Sequence, residues 1–439
     1  MFQGAPLIPA LVVLLLFCSG LAADDWPQWF GPQRDGVYRE DGIVEKLPAR
    51  LKYRWRRKIR SGYAGPAVAN GRVFVTDAIS EKGKRPSIER VVCLDEKTGN
   101  ELWIKEYSCA PYTIDYSSGP RVTPTVDGDR VYTLGAMGDL FCWSVQDGKQ
   151  IWAKNYVRDF KTRMNAWGMA SAPLVDGDRL IALVGGQPNA CVVAFDKNTG
   201  KELWRQLQIG DPGYSPPAMI KAGGKRQLII WTPEHLSSLD PETGSVYWQE
   251  PFKINAALSL AMPVHVPKKN RLFVSTFYNG TLMMELDEKK PTARKLWQGK
   301  SDSEIKTDGL HALMCTPTYR DGHIYGVCSY GQLRCIKATD GSRVWESLAA
   351  TGKGRWWNAF VVPHRNAKQD RYFICNEQGE LIIARLTPEG YQETSRARLL
   401  ETTDKVQGRN LVWSHPAFAN RAVYARNDKE IVCADLAAE

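Results

Sequence analysis

The sequence predicts an all-β protein, an eight-bladed β-propeller of four-stranded antiparallel blades in which the last blade is completed by the N-terminal strand. Three observations lead to this fold: a turn motif that recurs along the chain, a β-hairpin that recurs before it, and little sign of helix. Beyond residues 1–23, no stretch shows sustained apolar repetition at 3.6-residue spacing. Copies of the motif recur roughly every forty to fifty residues, which is typical of propellers and related repeat folds.

The recurring turn is clearest in residues 194–204, where two short β-rich runs flank a polar turn. Asp196 can accept hydrogen bonds from backbone amides ahead of it, and Gly200 supplies a positive φ. Trp204 is expected to end the fourth strand of its blade and to fill the gap to a neighbouring blade. Tryptophans in the same phase, predicted to dock blade against blade, are Trp55, Trp103, Trp152, Trp204, Trp248, Trp297 and Trp345.

A second recurring piece precedes each tryptophan: a proline, a β-rich run, a polar turn and another β-rich run. In residues 124–132 and 173–181 the turn contains Asp-Gly, a strong hairpin signal between alternating apolar runs. The prolines that mark a first strand are Pro66, Pro124, Pro173, Pro217, Pro263, Pro317 and Pro416. A further unit beginning at Ala359 keeps the strand rhythm without the proline or the tryptophan, which makes eight starts.

The two ends of the chain are predicted to share a blade. After Pro416 there is room for only three strands before Glu439, whereas residues 51–55 carry a docking tryptophan with no strands before it. If the first strand completes the last blade, no open sheet edge remains between the termini. We therefore assign residues 51–439 to the propeller.

The chain before the propeller divides into a leader and an arm. Residues 7–17 form an apolar run too short to span a bilayer and are followed by small residues, so residues 1–23 are predicted to be a secretory signal peptide. Phe17 stands where a lipoprotein signal at Cys18 would need a small residue. Residues 24–50, rich in Trp, Pro and Gly, are predicted to be an ordered arm packed on the propeller. A periplasmic or secreted protein is therefore expected, with no transmembrane segment in the mature chain.

The charge pattern leaves two interpretations open. The formal net charge is +10, and a basic cluster in the first strand comprises Arg54, Arg56, Arg57, Lys58 and Arg60. Such a cluster could contact an anionic partner, or it could be a solvated edge strand whose charges discourage aggregation, and the second is favoured. Nucleic acid is not expected to be a partner of an exported chain.

The cysteines and histidines do not predict a metal site. Cys93, Cys142 and Cys335 each lie ten residues before a docking tryptophan, where other blades have Ala or Ser, so they are interpreted as buried packing residues. Cys328 and Cys335 lie on what should be neighbouring strands, which would allow a disulfide. No C-x-x-C and no H-x-x-x-H spacing occurs.

A ligand site is expected on the propeller axis, where residues just before each innermost strand project into a funnel. The candidate ligand-binding residues are Tyr63, Ser118, Trp167, Tyr214, Ser259, His311, Trp357, Asn358, Trp413 and His415. Their aromatic and hydrogen-bonding side chains suit a planar ligand, a sugar or a peptide, although the aromatics could also simply plug the channel. No nucleophile, base and orienting group can be assembled from the spacing, so no catalytic residue is predicted.

These repeats resemble the tryptophan-docking repeats of the pyrroloquinoline-quinone (PQQ)-type propellers, and residues 26–36 resemble the opening of secreted PQQ-like propeller proteins. The resemblance implies one of two functions. Quinoprotein dehydrogenases of this fold bind PQQ and calcium, use an aspartate base, and often carry two adjacent cysteines, which this sequence lacks. A second branch, similar to the outer-membrane-barrel assembly lipoprotein, binds protein without a cofactor.

The leading hypothesis is therefore an exported, non-catalytic propeller that binds a protein or glycan partner in the envelope, with no cofactor and as a monomer. The alternative is a PQQ- and calcium-dependent oxidoreductase of alcohols or sugars, and a glycan-active enzyme is a third hypothesis.

Overall fold

The computed structural model describes residues 25–81, 84–365 and 371–438, and these residues form an eight-bladed propeller of four-stranded antiparallel sheets. The predicted fold class is therefore confirmed. The predicted signal peptide lies outside the described residues. Within the described ranges, no helix is both long and apolar enough to cross a bilayer.

The first strand, β1, is Tyr53–Lys58, and each following blade runs from an innermost strand A to an outermost strand D. Blade 1 contains β2 Ala67–Ala69, β3 Arg72–Ile79, β4 Ile88–Asp95 and β5 Glu101–Ser108. Blade 2 contains β6 Thr125–Asp127, β7 Arg130–Leu134, β8 Asp139–Ser144 and β9 Gln150–Asn155, and is followed by helix α1 Tyr156–Phe160. Blade 3 contains β10 Leu174–Asp176, β11 Arg179–Gly186, β12 Ala190–Asp196 and β13 Glu202–Gln206. Blade 4 contains β14 Ala218–Ala222, β15 Lys225–Trp231, β16 His235–Leu239 and β17 Val246–Pro251.

The second half of the ring repeats the same order. Blade 5 follows the 3-10 turn Asn255–Ala257 and contains β18 Val264–Val266, the 3-10 turn Pro267–Lys269, β19 Arg271–Thr276, β20 Gly280–Leu286 and β21 Ala293–Gln298. Blade 6 contains β22 Thr318–Arg320, β23 His323–Val327, β24 Leu333–Lys337 and β25 Arg343–Ser347. Blade 7 contains β26 Ala359–His364, β27 Arg371–Asn376, β28 Glu380–Thr387 and β29 Gly390–Arg398, and a ribbon of β30 Asp404–Val406 and β31 Arg409–Leu411 follows it. Blade 8 contains β32 Ala417–Ala419, β33 Ala422–Arg426 and β34 Glu430–Asp435, with β1 as its fourth strand.

The ring closes as the sequence predicts. Strand β1 pairs antiparallel with β34, with Trp55 opposite Cys433 and Lys58 opposite Glu430. Because the first strand of the chain completes the last blade, hydrogen bonds between distant parts of the chain hold the ring shut.

The recurring tryptophans pack between successive blades. The indole of Trp103 in blade 1 lies on Gly148 in the C–D turn of blade 2, so close that a Cβ on this glycine would be 2.7 Å from the ring. Its Nε1 donates to the Val145 carbonyl of the same turn at 3.1 Å. The same donation to the next blade is made by Trp55, Trp152, Trp204, Trp297 and Trp345. The turn glycine thus receives the tryptophan of the preceding blade, not of its own.

Two junctions depart from this pattern. Trp248 donates to Gln227 of its own blade at 3.0 Å, and the C–D turn of the following blade has a proline-containing sequence with no glycine. In blade 7, Ser395 occupies the tryptophan register opposite Ile383, and its hydroxyl accepts from the Leu47 amide at 2.9 Å. The end of the N-terminal arm therefore contacts the junction between blades 7 and 8, and the Leu47 side chain is buried in the hydrophobic cluster there.

Three details of the sequence interpretation are wrong. The docking tryptophans lie inside strand D, as Trp204 does in β13, and do not end it. Residues 394–409 interrupt the strand rhythm of the sequence and are predicted from it to be a surface loop, but they are the end of β29 followed by most of the β30–β31 ribbon. Cys328 and Cys335 are free thiols, as are all nine cysteines in the described ranges, so no disulfide links them.

The N-terminal arm runs along the inner strands and fills the central channel. Trp26 exchanges backbone hydrogen bonds with Val68 in strand A of blade 1, at 2.8 and 2.9 Å. Further along, the Tyr38 amide donates at 2.9 Å to the carbonyl of Pro363 in strand A of blade 7. Since A strands line the axis, contacts of one short segment with strands on different sides of the ring place it inside the channel.

Arg34 ties the middle of this arm to blades 3 and 4. Its guanidinium donates to the carbonyls of Ala172, Pro173 and Pro217 at 3.1 to 3.3 Å. The side chain is buried, and burial lowers its pKa to about 10. A charged donor shared between two blades fixes the arm more strongly than neutral contacts would.

Three arginines of the basic first strand have ionic or hydrogen-bond partners within the fold. Arg54 pairs with Asp435 at 2.7 Å, Arg56 pairs with Glu430 at 2.6 Å, and Arg57 donates to the Gly99 carbonyl at 2.8 Å. Three of the five basic side chains are therefore bonded within the fold, which argues against the cluster as a free anion-binding surface.

Candidate functional site

One face of the propeller carries an open cavity on the axis. Antiparallel strand order places the B–C and D–A connections on this face and the A–B and C–D turns on the opposite one. The cavity has a volume of about 320 Å³. Its walls come mainly from the D–A connections, which are the segments that the sequence pattern selects.

We call this cavity the axial cup and define it by its lining residues. They are Trp29, Tyr63, Tyr116, Arg121, Trp167, Ala170, Tyr214, Pro216, Ala256, Leu258, Leu260, Tyr278, Leu313, Met314, Trp356, Phe360, Trp413 and His415. Aromatic and aliphatic side chains dominate the lining, and it contains no carboxylate.

The cup is blind because the N-terminal arm supplies part of its floor. The ring of Trp29 lies 4.6 Å from His415, centroid to centroid, and Phe360 lies 4.7 Å from the same imidazole. Phe30 packs against this imidazole as well, at 5.1 Å. The channel is thus closed beneath the cup by aromatic rings from the arm and from blades 7 and 8.

The polar ends of several wall aromatics are bonded to groups outside the lining. The Tyr63 hydroxyl donates to Asp404 at 2.7 Å, and Trp413 Nε1 donates to the buried Glu377 at 2.9 Å. Arg409 pairs with the same glutamate at 2.6 Å. Because these polar groups already have hydrogen-bond partners, a ligand would contact the faces of the aromatic rings.

A charged clamp supports another part of the wall. Arg355 pairs with Glu304 at 2.7 Å and donates to the Tyr278 hydroxyl at 3.1 Å. Its guanidinium also lies over the Trp356 ring, 4.7 Å from the centroid. The clamp joins the long D–A connection between blades 5 and 6 to two aromatics of the cup, which orders both rings before any ligand binds.

His415 and Tyr63, two titratable groups of the cup, each keep one protonation state near neutral pH. Burial lowers the pKa of His415 to about 4, so its imidazole is neutral at pH 7. Burial and the nearby Asp404 raise the pKa of Tyr63 well above its usual value. Arg121 donates to the carbonyls of Asp115, Tyr116 and Gly119, so its guanidinium already has hydrogen-bond partners within the protein.

The cup does not fit PQQ with calcium. Aromatic walls could stack on a planar quinone, but calcium requires several oxygen ligands, usually including carboxylates. The lining offers none, and the acids Glu377 and Asp404 outside it are bonded to wall residues. In the described ranges, no three His, Cys, Asp or Glu residues are grouped as a metal site would require. The arrangement is suited to binding an apolar group and lacks an aspartate placed as a base.

The structure brings together five of the predicted ligand residues. Tyr63, Trp167, Tyr214, Trp413 and His415 line the cup. Their shared position before an innermost strand explains why the sequence could select them.

The other predicted residues lie outside the lining. Ser118 Oγ is 3.3 Å from the Tyr63 hydroxyl, behind the wall. His311 is buried between Asp308 and the Phe277 carbonyl, and Asn358 is buried with its amide donating to Glu377. Trp357 packs beneath Arg409, and the buried Ser259 accepts from the Tyr214 amide at 2.9 Å.

Sequence reasoning missed several wall residues. Trp29 comes from the arm, whose path to the axis is a tertiary feature, and Tyr278 comes from a B–C connection, whereas the sequence prediction selects positions in D–A connections. Tyr116 and Trp356 lie in D–A connections only a few residues from selected positions. Their aromatic character in those loops was the signal that could have found them.

Three exposed apolar side chains lie on the same face of the propeller as the cup. Val157, Ile305 and Leu348 all lie in D–A connections and are 44%, 70% and 40% exposed. The most exposed, Ile305, directly follows the clamp residue Glu304. Of the three, Ile305 is therefore the one that the Glu304–Arg355 clamp connects to the cup wall.

Comparison with solved structures shows likenesses that are confined to fold. BamB from Moraxella catarrhalis is 15% identical with a TM-score of 0.55, covering 86% of this chain and 96% of that chain. Quinohemoprotein alcohol dehydrogenase from Comamonas testosteroni is 13% identical with a TM-score of 0.61, covering 95% and 81% respectively. The C-terminal WD40 domain of Sif2 is 9% identical with a TM-score of 0.52, covering 89% and 99%. No curated protein gives a significant sequence match.

A family model identifies the relationship more specifically. The model described as outer membrane protein assembly factor BamB matches residues 87–291 and 232–439, which together exceed half of the 439 residues. This match confirms the resemblance to PQQ-like propellers that the tryptophan-docking repeats predict. The chain belongs to the family of the outer membrane protein assembly factor BamB.

Proposed function

We propose that this protein is an exported, non-catalytic propeller that binds a protein partner in the cell envelope through the axial cup. One observation carries the proposal: the cup presents aromatic faces and aliphatic side chains, and the polar ends of Tyr63 and Trp413 are bonded to acids outside the lining. A cavity of this chemistry stabilises an inserted apolar side chain and offers few groups for bond making or breaking.

The proportion of aliphatic to hydrogen-bonding side chains in the cup lining favours a protein ligand over a glycan. Sugars need several hydrogen-bonding side chains in addition to aromatic faces, whereas Leu258, Leu260 and Leu313 make one part of the wall aliphatic. The exposed Ile305 at the face would enlarge the apolar contact for a protein. Family membership supports the same choice, because the family is named for an assembly factor of outer membrane proteins.

Site-specific photo-crosslinking in cells tests this proposal. A photoreactive phenylalanine analogue at Tyr116, in the cup wall, should form an adduct with a discrete envelope protein. The matched control is Tyr319, which lies in strand A of blade 6 beside the A–B turn on the opposite face. Equal adducts at both positions, or none at Tyr116, would contradict a role for the cup.

Once such a partner is identified, its affinity can be measured with paired variants. Leu313→Asp places a charge in the cup wall, and we expect at least about a tenfold loss of affinity because a carboxylate must lose water without a partner. Leu203→Asp, on the outer strand of blade 3 and 48% exposed, should leave the affinity unchanged. An equal loss in both variants would mean that the cup is not the interface. Affinity for soluble peptidoglycan fragments without protein binding would support a glycan partner instead.

The alternative function, a PQQ- and calcium-dependent oxidoreductase, is tested by reconstitution. PQQ and calcium are added to the purified protein, and cofactor absorbance and dye-linked oxidation of alcohols or sugars are measured. Turnover would overturn the non-catalytic proposal. Export is tested separately by sequencing the N-terminus of the protein from an envelope fraction, which should begin near Asp24.

A further inference from the structure

The face opposite the cup carries a cluster of lysines on blades 4 and 5. Three turns on this face contribute two exposed lysines each, and we call them the lysine patch: Lys221, Lys225, Lys268, Lys269, Lys289 and Lys290. The patch is separate from the axial cup and does not depend on the function proposed for it.

Backbone packing brings these turns together. The Lys290 carbonyl lies directly against Gly223, between the two lysines of the blade 4 turn, where no Cβ could be accommodated. Within blade 5, the Leu286 amide donates to the Asn270 carbonyl at 2.7 Å, which joins the A–B turn to the C–D turn. Six cationic side chains therefore project from one continuous surface.

The surrounding acidic groups do not neutralise the patch. Asp287 accepts from the backbone amides of Lys289 and Lys290 at 2.8 and 2.9 Å, which shapes the turn. Arg294 pairs with Glu285, and Arg226 pairs with Asp176. Within the described ranges, none of the six lysines makes an ion pair. Counting Asp287 and Glu288 against the lysines leaves a clear excess of positive charge.

The described chain also begins on this face. The Asn70 amide, in the A–B turn of blade 1, donates to the Asp25 carboxylate at 3.0 Å. Asp25 therefore lies on the side of the lysine patch, while the cup opens on the other face.

We propose that the lysine patch binds the anionic headgroups of a phospholipid membrane, with the cup directed away from the bilayer. Lysines carry compact charges on flexible stems, so they suit a plane of mobile phosphates better than a fixed arrangement of carboxylates. Basic clusters of four to eight residues beside a transmembrane helix or on an amphipathic helix bind anionic headgroups electrostatically, and the six lysines of this patch match that number of charges. Each lysine is expected to raise membrane affinity about fivefold at low salt.

Co-sedimentation with vesicles tests the proposal. The purified protein is mixed with vesicles of about 3:7 phosphatidylglycerol to phosphatidylcholine, or of phosphatidylcholine alone, at low and high salt. The patch variant combines Lys268→Gln, Lys269→Gln, Lys289→Gln and Lys290→Gln, which keeps the backbone contacts of the turns. We expect binding to the anionic vesicles only, weakened by salt, and at least a tenfold loss in the patch variant.

The matched control removes the same number of charges from the cup face. It combines Lys161→Gln, Lys300→Gln, Lys306→Gln and Lys353→Gln, all exposed residues of D–A connections. This variant should bind like the wild type, and circular dichroism and melting curves should agree for all three proteins. Equal losses in both variants would assign binding to net charge alone and overturn the proposal. Binding to neutral vesicles, or to polyglutamate but not to vesicles, would overturn it as well.

Discussion

The packing of each tryptophan on a glycine of the next blade predicts a measurable coupling between the two residues. In Trp103→Ala, the ring between blades 1 and 2 is lost together with its hydrogen bond to Val145. Removing a buried tryptophan of this kind costs about 3 to 5 kcal/mol, a large part of the roughly 5 to 15 kcal/mol that stabilises a domain. Leu102→Ala is the matched control, because the neighbouring Leu102 side chain is 45% exposed and its loss should cost below about 1 kcal/mol.

The second variant of this test substitutes Gly148, the glycine on which Trp103 packs. Gly148 has a φ of 67°, and an added Cβ would be 2.7 Å from the Trp103 ring. Gly148→Ala therefore adds a clash to the cost of about 1 to 2 kcal/mol for an L-residue in this region. At Gly128 the φ is 59° and nothing lies within 4 Å of an added Cβ. The control variant Gly128→Ala therefore measures the backbone cost alone.

Thermal unfolding of the single and double variants measures the coupling. At about 2.1 cal/mol/K per residue, a protein of this size loses roughly 5 °C of melting temperature for 4 kcal/mol. We expect Gly148→Ala to cost more than Gly128→Ala in the wild type, and to cost about the same once Trp103 is alanine. Strictly additive effects of Trp103→Ala and Gly148→Ala would refute the inter-blade packing.

Three further predictions concern the axis and the thiols. Because the pKa of His415 is about 4 when folded and about 6.5 when unfolded, the unfolded state binds more protons between these values, and stability falls as the pH drops through this window. The contribution of His415 approaches about 1.4 kcal/mol per pH unit and should be missing in His415→Gln, whereas His265, whose pKa burial also lowers to about 4, keeps its own contribution; parallel pH–stability curves would contradict it. Arg34→Met should cost about 3 kcal/mol by leaving buried carbonyls without a donor, whereas Arg39→Met, which removes a surface pair with Asp35, should cost below about 1 kcal/mol. Equal costs in chemical denaturation would mean that the arm is not held at Arg34. In denaturant without reductant, Ellman's reagent should titrate all nine cysteines from Cys93 to Cys433; two fewer would indicate a disulfide.

The sequence by itself determined the architecture, because each blade is specified by local chemistry. The turn at Asp196 and Gly200 recurs with the blades, and seven first-strand prolines together with the proline-free unit that begins at Ala359 give eight units. The unpaired strand around Trp55 and the three-stranded end of the chain also predict the closure. Local repetition does not reveal that a glycine and a tryptophan of one motif contact different neighbours, because that depends on how blades stack.

The axial cup was determined only in part by the sequence. Tyr63 and Trp413 could be selected because their place before an inner strand puts them at the axis. Trp356 lines the cup while its neighbour Trp357 packs beneath Arg409, and the loop geometry that separates them includes a φ of 64° at Trp356. Adjacent indoles in an irregular loop have no periodicity that could distinguish them.

Only the tertiary structure decided where the N-terminal arm lies. The sequence indicates an ordered segment rich in aromatics, but its path through the channel depends on carbonyls of blades 3 and 4 that meet Arg34 only when the ring is closed. Trp29 reaches the cup floor for the same reason. Repeating local interactions fix the blades, whereas the floor of the site is fixed by contacts between segments far apart in the chain, which no local pattern encodes.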